Sequence, residues 1–538
     1  MSELTFAGIP AEQYHVEGGS TEVELHAAEE MASYIEKITG KKPTGEHKIV
    51  LAIDGALGEE AYKTDVKPGL MTITGGSGRG LLYGVYSLFE RVGVRYLTPD
   101  IETLGEGGDI PEGVTEWAPV FEYRQSDWFC GRDPGWCVKN KVNSIPNDPD
   151  CMGGDANKTT DAYVIPDKFG GYVRWNGFVH SIAHITETNA RELPQPCFSD
   201  PENLKKAKAY VRRVLKEDSG IRVIDVSQND NGNGCKCPRC AAITEEEGSE
   251  MGPLLRFINE VADDIKDEYP NVAIETLAYV HTRKPPKVTK PRDNVIIRLC
   301  SIECRCGHSL YSGEEEDNNT FCRDVEEWAK ICNRLYIWDY VTDFRYYIPT
   351  FPNFDVLYTN MRYFAEHNVK GMYPEGNYNS VSGEFGELRA YVQAKLMADP
   401  LGYEYDYRHA IDDFCRGYYG EGWYYIRTYI NFMVGSSRGE YVCIWTPPES
   451  HYAFERIEPM IDEIEHWWDM AEKMAGDKLE NVRRSRLQWT AIMLDIRPDP
   501  VKGKEFHEAV TSRGIRWSES RELRPDFDFG EPPYKWIP

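Results

Sequence analysis

The sequence predicts an α/β protein, a (β/α)8 TIM-like barrel with a small N-terminal α/β domain and a C-terminal helical domain. Three observations lead there. Between residues 119 and 400, short β-branched apolar runs alternate with helical stretches, as a parallel sheet with crossover helices requires. Eight such runs occur, at 122–126, 178–183, 195–198, 222–227, 273–280, 295–299, 335–338 and 369–373, the number a closed barrel needs. Two of them empty directly into polar clusters. Ile221-Arg222-Val223-Ile224-Asp225-Val226-Ser227 leads into Gln228-Asn229-Asp230-Asn231-Gly232-Asn233-Gly234, and Val369-Lys370-Gly371-Met372-Tyr373-Pro374 into Glu375-Gly376-Asn377-Tyr378-Asn379. Such clusters are too polar to bury, and at the C-terminal end of a barrel strand they face the mouth where active sites form.

Residues 1–118 read as the N-terminal domain. Leu25, Ala28, Met31, Ala32, Ile35 and Ile38 form a helical stripe, followed by strands at 48–53 and 69–74. Gly75-Gly76-Ser77-Gly78-Arg79-Gly80 then opens a helix over 81–92. Its spacing is not G-x-G-x-x-G, so it reads as a tight turn before a packed helix rather than a dinucleotide cradle. A short strand at 94–99 stops at Pro99.

The barrel is expected over 119–400. Helices at 201–216 and 253–268 are its clearest crossovers, and the weakest strand is the proline-containing 195–198. The insertion at 129–174 is rich in Gly, Asp, Asn and Pro, and a loop of that length usually serves a site. From 401 to 538 the pattern turns helical, at 404–418, 423–433, 454–474 and 479–494. The proline pairs at Pro498-Asp499-Pro500 and Pro532-Pro533 suggest an extended tail.

The 538 residues carry 61 Lys and Arg against 88 Asp and Glu, a formal charge of −27 that makes nucleic acid and anionic membrane poor partners. Neutral sugars are unaffected. The chain is rich in aromatics, 33 Tyr, 20 Phe and 13 Trp, whose faces can stack on sugar rings once core packing is satisfied. Trp338-Asp339-Tyr340 and Tyr346-Tyr347 sit beside strand ends, where that use fits best. No run approaches the ~20 apolar residues of a membrane span. The start Met1-Ser2-Glu3-Leu4-Thr5-Phe6 lacks signal-peptide character, which suits either a cytoplasmic protein or a secreted or periplasmic one whose leader has been removed.

Reading the strand ends in turn gives the candidate chemistry. Arg124 and Asp127 follow the first, His180 and His184 the second, and Asn229 and Asp230 the fourth. Tyr279 and His281 follow the fifth, Glu303 and His308 the sixth, Trp338, Asp339 and Tyr340 the seventh, and Glu375 with Asn377 the eighth. Two separate carboxylates at strand ends are what glycosidic bond cleavage requires, and Asp230 and Glu375 are the first choices. Asn229, Tyr279, His281, Trp338, Asp339, Tyr340, His180, Arg124 and Asn377 are expected to bind substrate. Asp230-Asn231-Gly232-Asn233 resembles the start of a calcium loop, but Ala241 stands where the twelfth-position acid belongs. His180 and His184 have metal spacing only on a helix, and this stretch reads as a strand. No serine-nucleophile elbow and no P-loop occur, and nothing calls for a cofactor.

Of 14 cysteines, Cys235, Cys237 and Cys240 form C-x-C-x-x-C directly after the Asp230 loop, and Cys300, Cys304 and Cys306 follow another strand. Three thiolates plus a fourth from the second cluster would make a structural zinc site. A disulfide, or free buried thiols, are the alternatives.

Several of these residues resemble known families. Gly80-Leu81-Leu82-Tyr83-Gly84-Val85-Tyr86-Ser87-Leu88-Phe89-Glu90, with Gly93-Val94-Arg95-Tyr96, is similar to the N-terminal domain that accompanies α-glucuronidases and β-hexosaminidases. Val226-Ser227-Gln228-Asn229-Asp230-Asn231 with the cysteine triplet resembles the domain of unknown function 4838, glycoside hydrolase family 163. So does Gly371-Met372-Tyr373-Pro374-Glu375-Gly376 with Glu387-Leu388-Arg389-Ala390-Tyr391. The resemblance covers roughly residues 75–400.

It implies an endo-β-N-acetylglucosaminidase acting on the complex N-glycans of glycoproteins, with the substrate's own acetamide as nucleophile. Glu375 or Asp230 would then donate the proton, and the other, with Asn229 or Tyr279, would steady the acetamide. The adjacent Asp-Glu pair of β-hexosaminidases is absent, since Asn231 follows Asp230. Two further readings stand beside it. One is an α-glucuronidase-like hydrolase of acidic glycans using Arg124, Arg283, Arg305 or Arg345; the other is a non-catalytic carbohydrate-binding barrel. Oligomeric state is not legible.

Overall fold

A computed structural model describes residues 3–144, 166–187, 195–402 and 406–519. Near the N-terminus, a five-stranded mixed sheet runs in the order Gly113–Trp117, Tyr62–Lys67, Leu70–Gly75, His47–Ile53, Tyr14–Glu17. Helices Glu22–Thr39 and Gly78–Glu90 pack beside it around Met31, Ile35, Ile73 and Leu81. Thr21 and Glu24 form a reciprocal capping box at the first helix, and Gly40 ends it in the left-handed region at φ 78°. The glycine-rich turn is steric in purpose: a Cβ on Gly76 would lie 1.5 Å from the Gly58 carbonyl oxygen.

The central sheet has seven parallel strands. They are β1 (Tyr123–Arg124), β2 (Trp175–Asn176), β3 (Val223–Asp225), β4 (Ala273–Ala278), β5 (Val295–Cys300), β6 (Leu335–Tyr340) and β7 (Val369–Glu375). Their order is β1-β7-β6-β5-β4-β3-β2, a curled sheet with β1 and β2 at its edges. Between those edges lies one parallel bridge, Gln125 to Ser144, and the Val173 N–H donates to the Asn143 carbonyl at 3.0 Å.

The eight-strand expectation is therefore corrected to seven among the described residues. The run 178–183 is not a strand: Gly177 and His180 take positive φ (69° and 56°), and Ile182–Ile185 is a short helix. The pairing strand lies just upstream, at β2. Nor is 195–198 a strand, because Gln195 turns its amide onto the Asp230 loop.

Helices Pro201–Glu217, Met251–Ile265, Glu316–Ala329, Phe354–Glu366 and Gly386–Ala398 follow β2, β3, β5, β6 and β7 and bury their apolar faces in one core. Asp200 caps the first of them with Pro201 at its opening position. Inside the curl, alternate strand residues converge: Tyr123, Trp175, Val223, Leu277, Ile296, Tyr336, Trp338 and Tyr373. A buried ion pair shares this interior. Arg298 donates to Glu275 at 2.8 Å with both side chains fully buried, and its guanidinium lies 4.5 Å from the Phe178 ring centre and 4.8 Å from that of Trp338.

Beyond residue 406 the chain forms helices Tyr407–Tyr419, Trp423–Ser436, Ile461–Met474, Leu479–Ile496 and Pro500–Ser512. Pro498-Asp499-Pro500, expected to begin a tail, instead begins the last of these, with Asp499 accepting from the Val501 and Lys502 N–H groups. The chain then doubles back over the sheet. Tyr347 N–H donates to the Trp517 carbonyl, and Glu519 N–H donates to that of Phe344, each at 2.9 Å. No helix among the described residues is long and apolar enough to cross a membrane.

Candidate active site

Strand period alone decides which residues reach the mouth. On β6, Trp338 and Tyr340 share the inward face with Tyr336; on β7, Tyr373 and Glu375 do so. Tyr340 pairs directly with Glu375 across the ladder. Glu375 is 4 % exposed, and the Trp338 indole N–H donates to its Oε2 at 2.6 Å. Gly376 lets the chain leave the strand, since a Cβ there would lie 2.4 Å from the Trp128 indole.

Burial drives the Glu375 carboxyl well above the usual carboxylate range, and the negative charges of Glu519 and Asp127 push it further. The indole hydrogen bond pulls the other way and loses. Asp127, 3 % exposed, is raised by burial too, against the opposing influence of the Tyr373 hydroxyl and the Gly376 N–H. Its Oδ2 has no hydrogen-bond partner. Burial thus favours the protonated form of both carboxyls.

Asp230 is built differently. Its side chain is 55 % exposed. The Tyr279 hydroxyl donates to Oδ1 at 3.0 Å, and His180 Nε2 stands 3.8 Å from the same oxygen. His180 Nδ1 faces the Gln228 carbonyl at 2.7 Å, so Nδ1 carries the proton. Strain collects here. His180 (φ 56°) and Val280 (φ 50°), the latter β-branched, both occupy the left-handed region beside the Asp230 pocket. Gln195 clasps the loop, accepting from Asn229 N–H at 2.9 Å and donating to the Asn229 carbonyl at 2.8 Å. Asn229 itself is buried, with an unpartnered side-chain oxygen.

Tyr340 connects the two halves. Burial raises its phenol well above the ordinary value, and negative charge from Cys300, Glu375, Tyr279 and Asp230 adds to the effect. It also stacks on Trp338, ring centres 6.1 Å apart at 22°. Glu375 and Asp230 thus lie within electrostatic reach of one hydroxyl, with Trp338, Tyr279 and His180 around them.

Other sequence candidates serve the scaffold. Arg124 does not reach the mouth: its guanidinium is wholly buried among Lys141 O, Phe121 O and Glu60, under the N-terminal sheet. Asp339 falls on the opposite face of β6, accepting from the Ser301 hydroxyl at 2.8 Å, and burial raises it to about 6. Asn377 donates to the Ser382 carbonyl at 3.1 Å and ties down its own loop. His281 packs beside Gly234, its pKa lowered by burial. The His184 ring packs edge-on against Tyr210. Glu303 pairs with Arg283 and His308 with Glu314.

Two features had no clear signal in the sequence. Glu519, some 140 residues after Glu375 in the sequence, is the strongest charged neighbour of Glu375, and Tyr378 donates to its carboxylate at 3.3 Å. Cys197 is the other. Its sulfur joins those of Cys235, Cys237 and Cys240, all four within 4.8 Å of one another. The expected fourth thiol from Cys300, Cys304 or Cys306 is not in this group.

A cleft of about 1060 Å³ opens at the opposite, N-terminal ends of the strands, beside Glu122, Arg222, Arg292 and Arg334. Arg334 pairs with Glu122 and Arg292 with Asp263, so its charges are largely mutual. That end of a barrel normally serves stability.

Comparison with family models decides the lineage: residues 106–431 match the domain of unknown function DUF4838. The chain belongs to the DUF4838 family. No curated protein matches this DUF4838 chain. Among solved structures, it is similar to a family 89 glycoside hydrolase from Clostridium perfringens in complex with PUGNAc. That pair is 11 % identical with a TM-score of 0.50, covering 91 % of this chain and 65 % of that one. CpGH84B is 12 % identical with a TM-score of 0.49, covering 96 % and 87 %. The GH20 β-N-acetylhexosaminidase from Streptomyces coelicolor A3(2) is 12 % identical with a TM-score of 0.43, covering 77 % and 91 %. At these identities the likeness is one of fold, a curled parallel α/β sheet of the kind glycoside hydrolases use.

Proposed function

We propose that this DUF4838 protein is a glycoside hydrolase, specifically an endo-β-N-acetylglucosaminidase of the family 163 type acting on complex N-glycans. The observation that carries the reading is Glu375, a buried strand-end carboxyl whose burial favours its protonated form, set beside Trp338, Tyr340 and Tyr373. A protonated acid is what a departing glycosidic oxygen needs.

In this mechanism Glu375 donates its proton to the leaving oxygen as the anomeric C–O bond breaks. The carbonyl oxygen of the substrate's acetamide bonds to the anomeric carbon in its place. Asp230, an acceptor oriented by the Tyr279 hydroxyl, holds the acetamide N–H and offsets the positive charge that develops. Water then attacks the anomeric carbon as the bond from that carbon to the acetamide oxygen breaks, giving its proton to the Glu375 carboxylate and restoring both the acid and the acetamide. Tyr340, partly exposed and backed by Trp338, supplies a face on which a sugar ring stacks. Two observations weigh against the acidic-glycan alternative: Arg283 is bound by Asp324 and Glu303, and Arg305 by Asp317.

Product analysis after incubation with a complex-type N-glycoprotein tests the proposal. Release of whole glycans ending in reducing N-acetylglucosamine is expected. Glucuronic acid as the product from acidic glycans, or binding without any cleavage, would overturn it.

A further inference from the structure

We propose that Cys197, Cys235, Cys237 and Cys240 bind one zinc ion, which staples the 195–199 segment to the loop that presents Asp230. The sulfurs sit at metal-site spacing rather than disulfide spacing. A tetrahedron with zinc–sulfur bonds of about 2.3 Å has sulfur–sulfur edges of about 3.8 Å, whereas a disulfide closes to about 2.05 Å. Cys197 Sγ lies 3.6 Å from Cys237 Sγ and 3.8 Å from Cys240 Sγ, and all four sulfurs fall within 4.8 Å of one another. Four thiolates close a tetrahedral shell and leave no open position, so the ion is structural rather than catalytic.

The surroundings fit a metal. The Cys240 N–H approaches Cys237 Sγ at 3.4 Å, where Cys237 caps helix Pro238–Glu247, and the Ser199 hydroxyl lies 3.6 Å from the same sulfur. Such outer contacts orient thiolate ligands. The staple also has a mechanical target. Two residues before Cys197, Gln195 holds the backbone of Asn229 and Asn231, while Cys235 begins one residue after Gly234 ends the same loop. A metal joining Cys197 to Cys235, Cys237 and Cys240 therefore fixes both flanks of the segment carrying Asp230. This holds whatever bond the enzyme cleaves.

Metal content of the full-length protein, purified under reducing conditions without chelator, tests it. One equivalent of zinc per chain is expected by elemental mass spectrometry. Cys197→Ser should drop the zinc at least about fivefold, while Cys415→Ser, at a buried thiol outside the group, should keep it. Should Cys197→Ser fail to fold, cobalt(II) reconstitution of wild type should give the visible bands of a tetrahedral thiolate site. Wild type that takes up no zinc under reducing conditions would overturn the proposal. So would a denatured mass about 2 or 4 Da below the all-thiol value, since that records disulfides.

Discussion

Trp338 and Glu375 lie on neighbouring strands, and the indole N–H of one donates to the carboxyl Oε2 of the other at 2.6 Å. The bond aims the carboxyl, and it favours the ionised form against burial and the Glu519 charge. Trp338→Phe keeps the packing but removes the donor. We expect kcat to fall about tenfold with the fold intact by circular dichroism, a modest share of what acid catalysis contributes. The alkaline limb of the pH–rate profile should move to higher pH, because the acid loses its one stabilised-anion contact with Trp338.

Glu519→Gln should move the same limb the other way. Removing that charge lowers the Glu375 pKa, so the protonated form is lost earlier as pH rises. Opposite shifts in the two variants, read from kcat/KM against pH, are the expected signature. An unchanged profile in Glu519→Gln would show that the C-terminal segment has no part in tuning the acid.

Glu375→Gln should lower kcat by at least ~10² with glycan binding retained. It should also alter stability in a pH-dependent way. Glu375 has a folded-state pKa above its unfolded value, so it binds its proton more tightly when folded. That contribution is fully present below the ordinary glutamic-acid pKa of about 4.3 and is lost as pH rises through the raised folded value. The amide carries no such loss, so the variant should melt higher than wild type at alkaline pH and not at acidic pH. Thermal melts across pH check it.

Asp230→Asn and Tyr279→Phe act on the other half of the mouth. The first should reduce kcat at least ~10²-fold, since a neutral amide does not offset positive charge at the reacting centre. Tyr279→Phe removes only the 3.0 Å hydrogen bond that orients the carboxylate. A smaller loss, about tenfold, is expected. Parallel kinetics on both variants with one glycoprotein substrate would rank them.

Arg298→Met addresses the interior rather than the chemistry. It leaves Glu275 fully buried without its cation, with Asp225 paired alongside it on the neighbouring strand. Breaking one partner of a buried pair costs about 3–5 kcal/mol. Urea unfolding should show that loss, and replacing Arg298 and Glu275 together by apolar residues should recover part of it.

Much of this was legible in the sequence because strand ends announce themselves. The β-branched run into Asp230 and the run into Glu375 both end at barrel strands, and the period of two separates Tyr340 from Asp339 once the register is known. One strand was misplaced for a local reason. Phe178 and Val179 look strand-like, but left-handed backbone at Gly177 and His180 ends the extension, and the true strand is only two residues long. Arg124 looked like a mouth residue because it ends β1. A two-residue strand gives no parity from sequence, and its guanidinium turns under the sheet. Glu519 and Cys197 come to their partners from far along the chain, and local pattern carries no distance information.

The lip of the mouth is laid down by Trp517 and Glu519, against a loop made some 170 residues earlier. During synthesis, then, the nascent chain can fold its sheet and still lack the charge that tunes its acid.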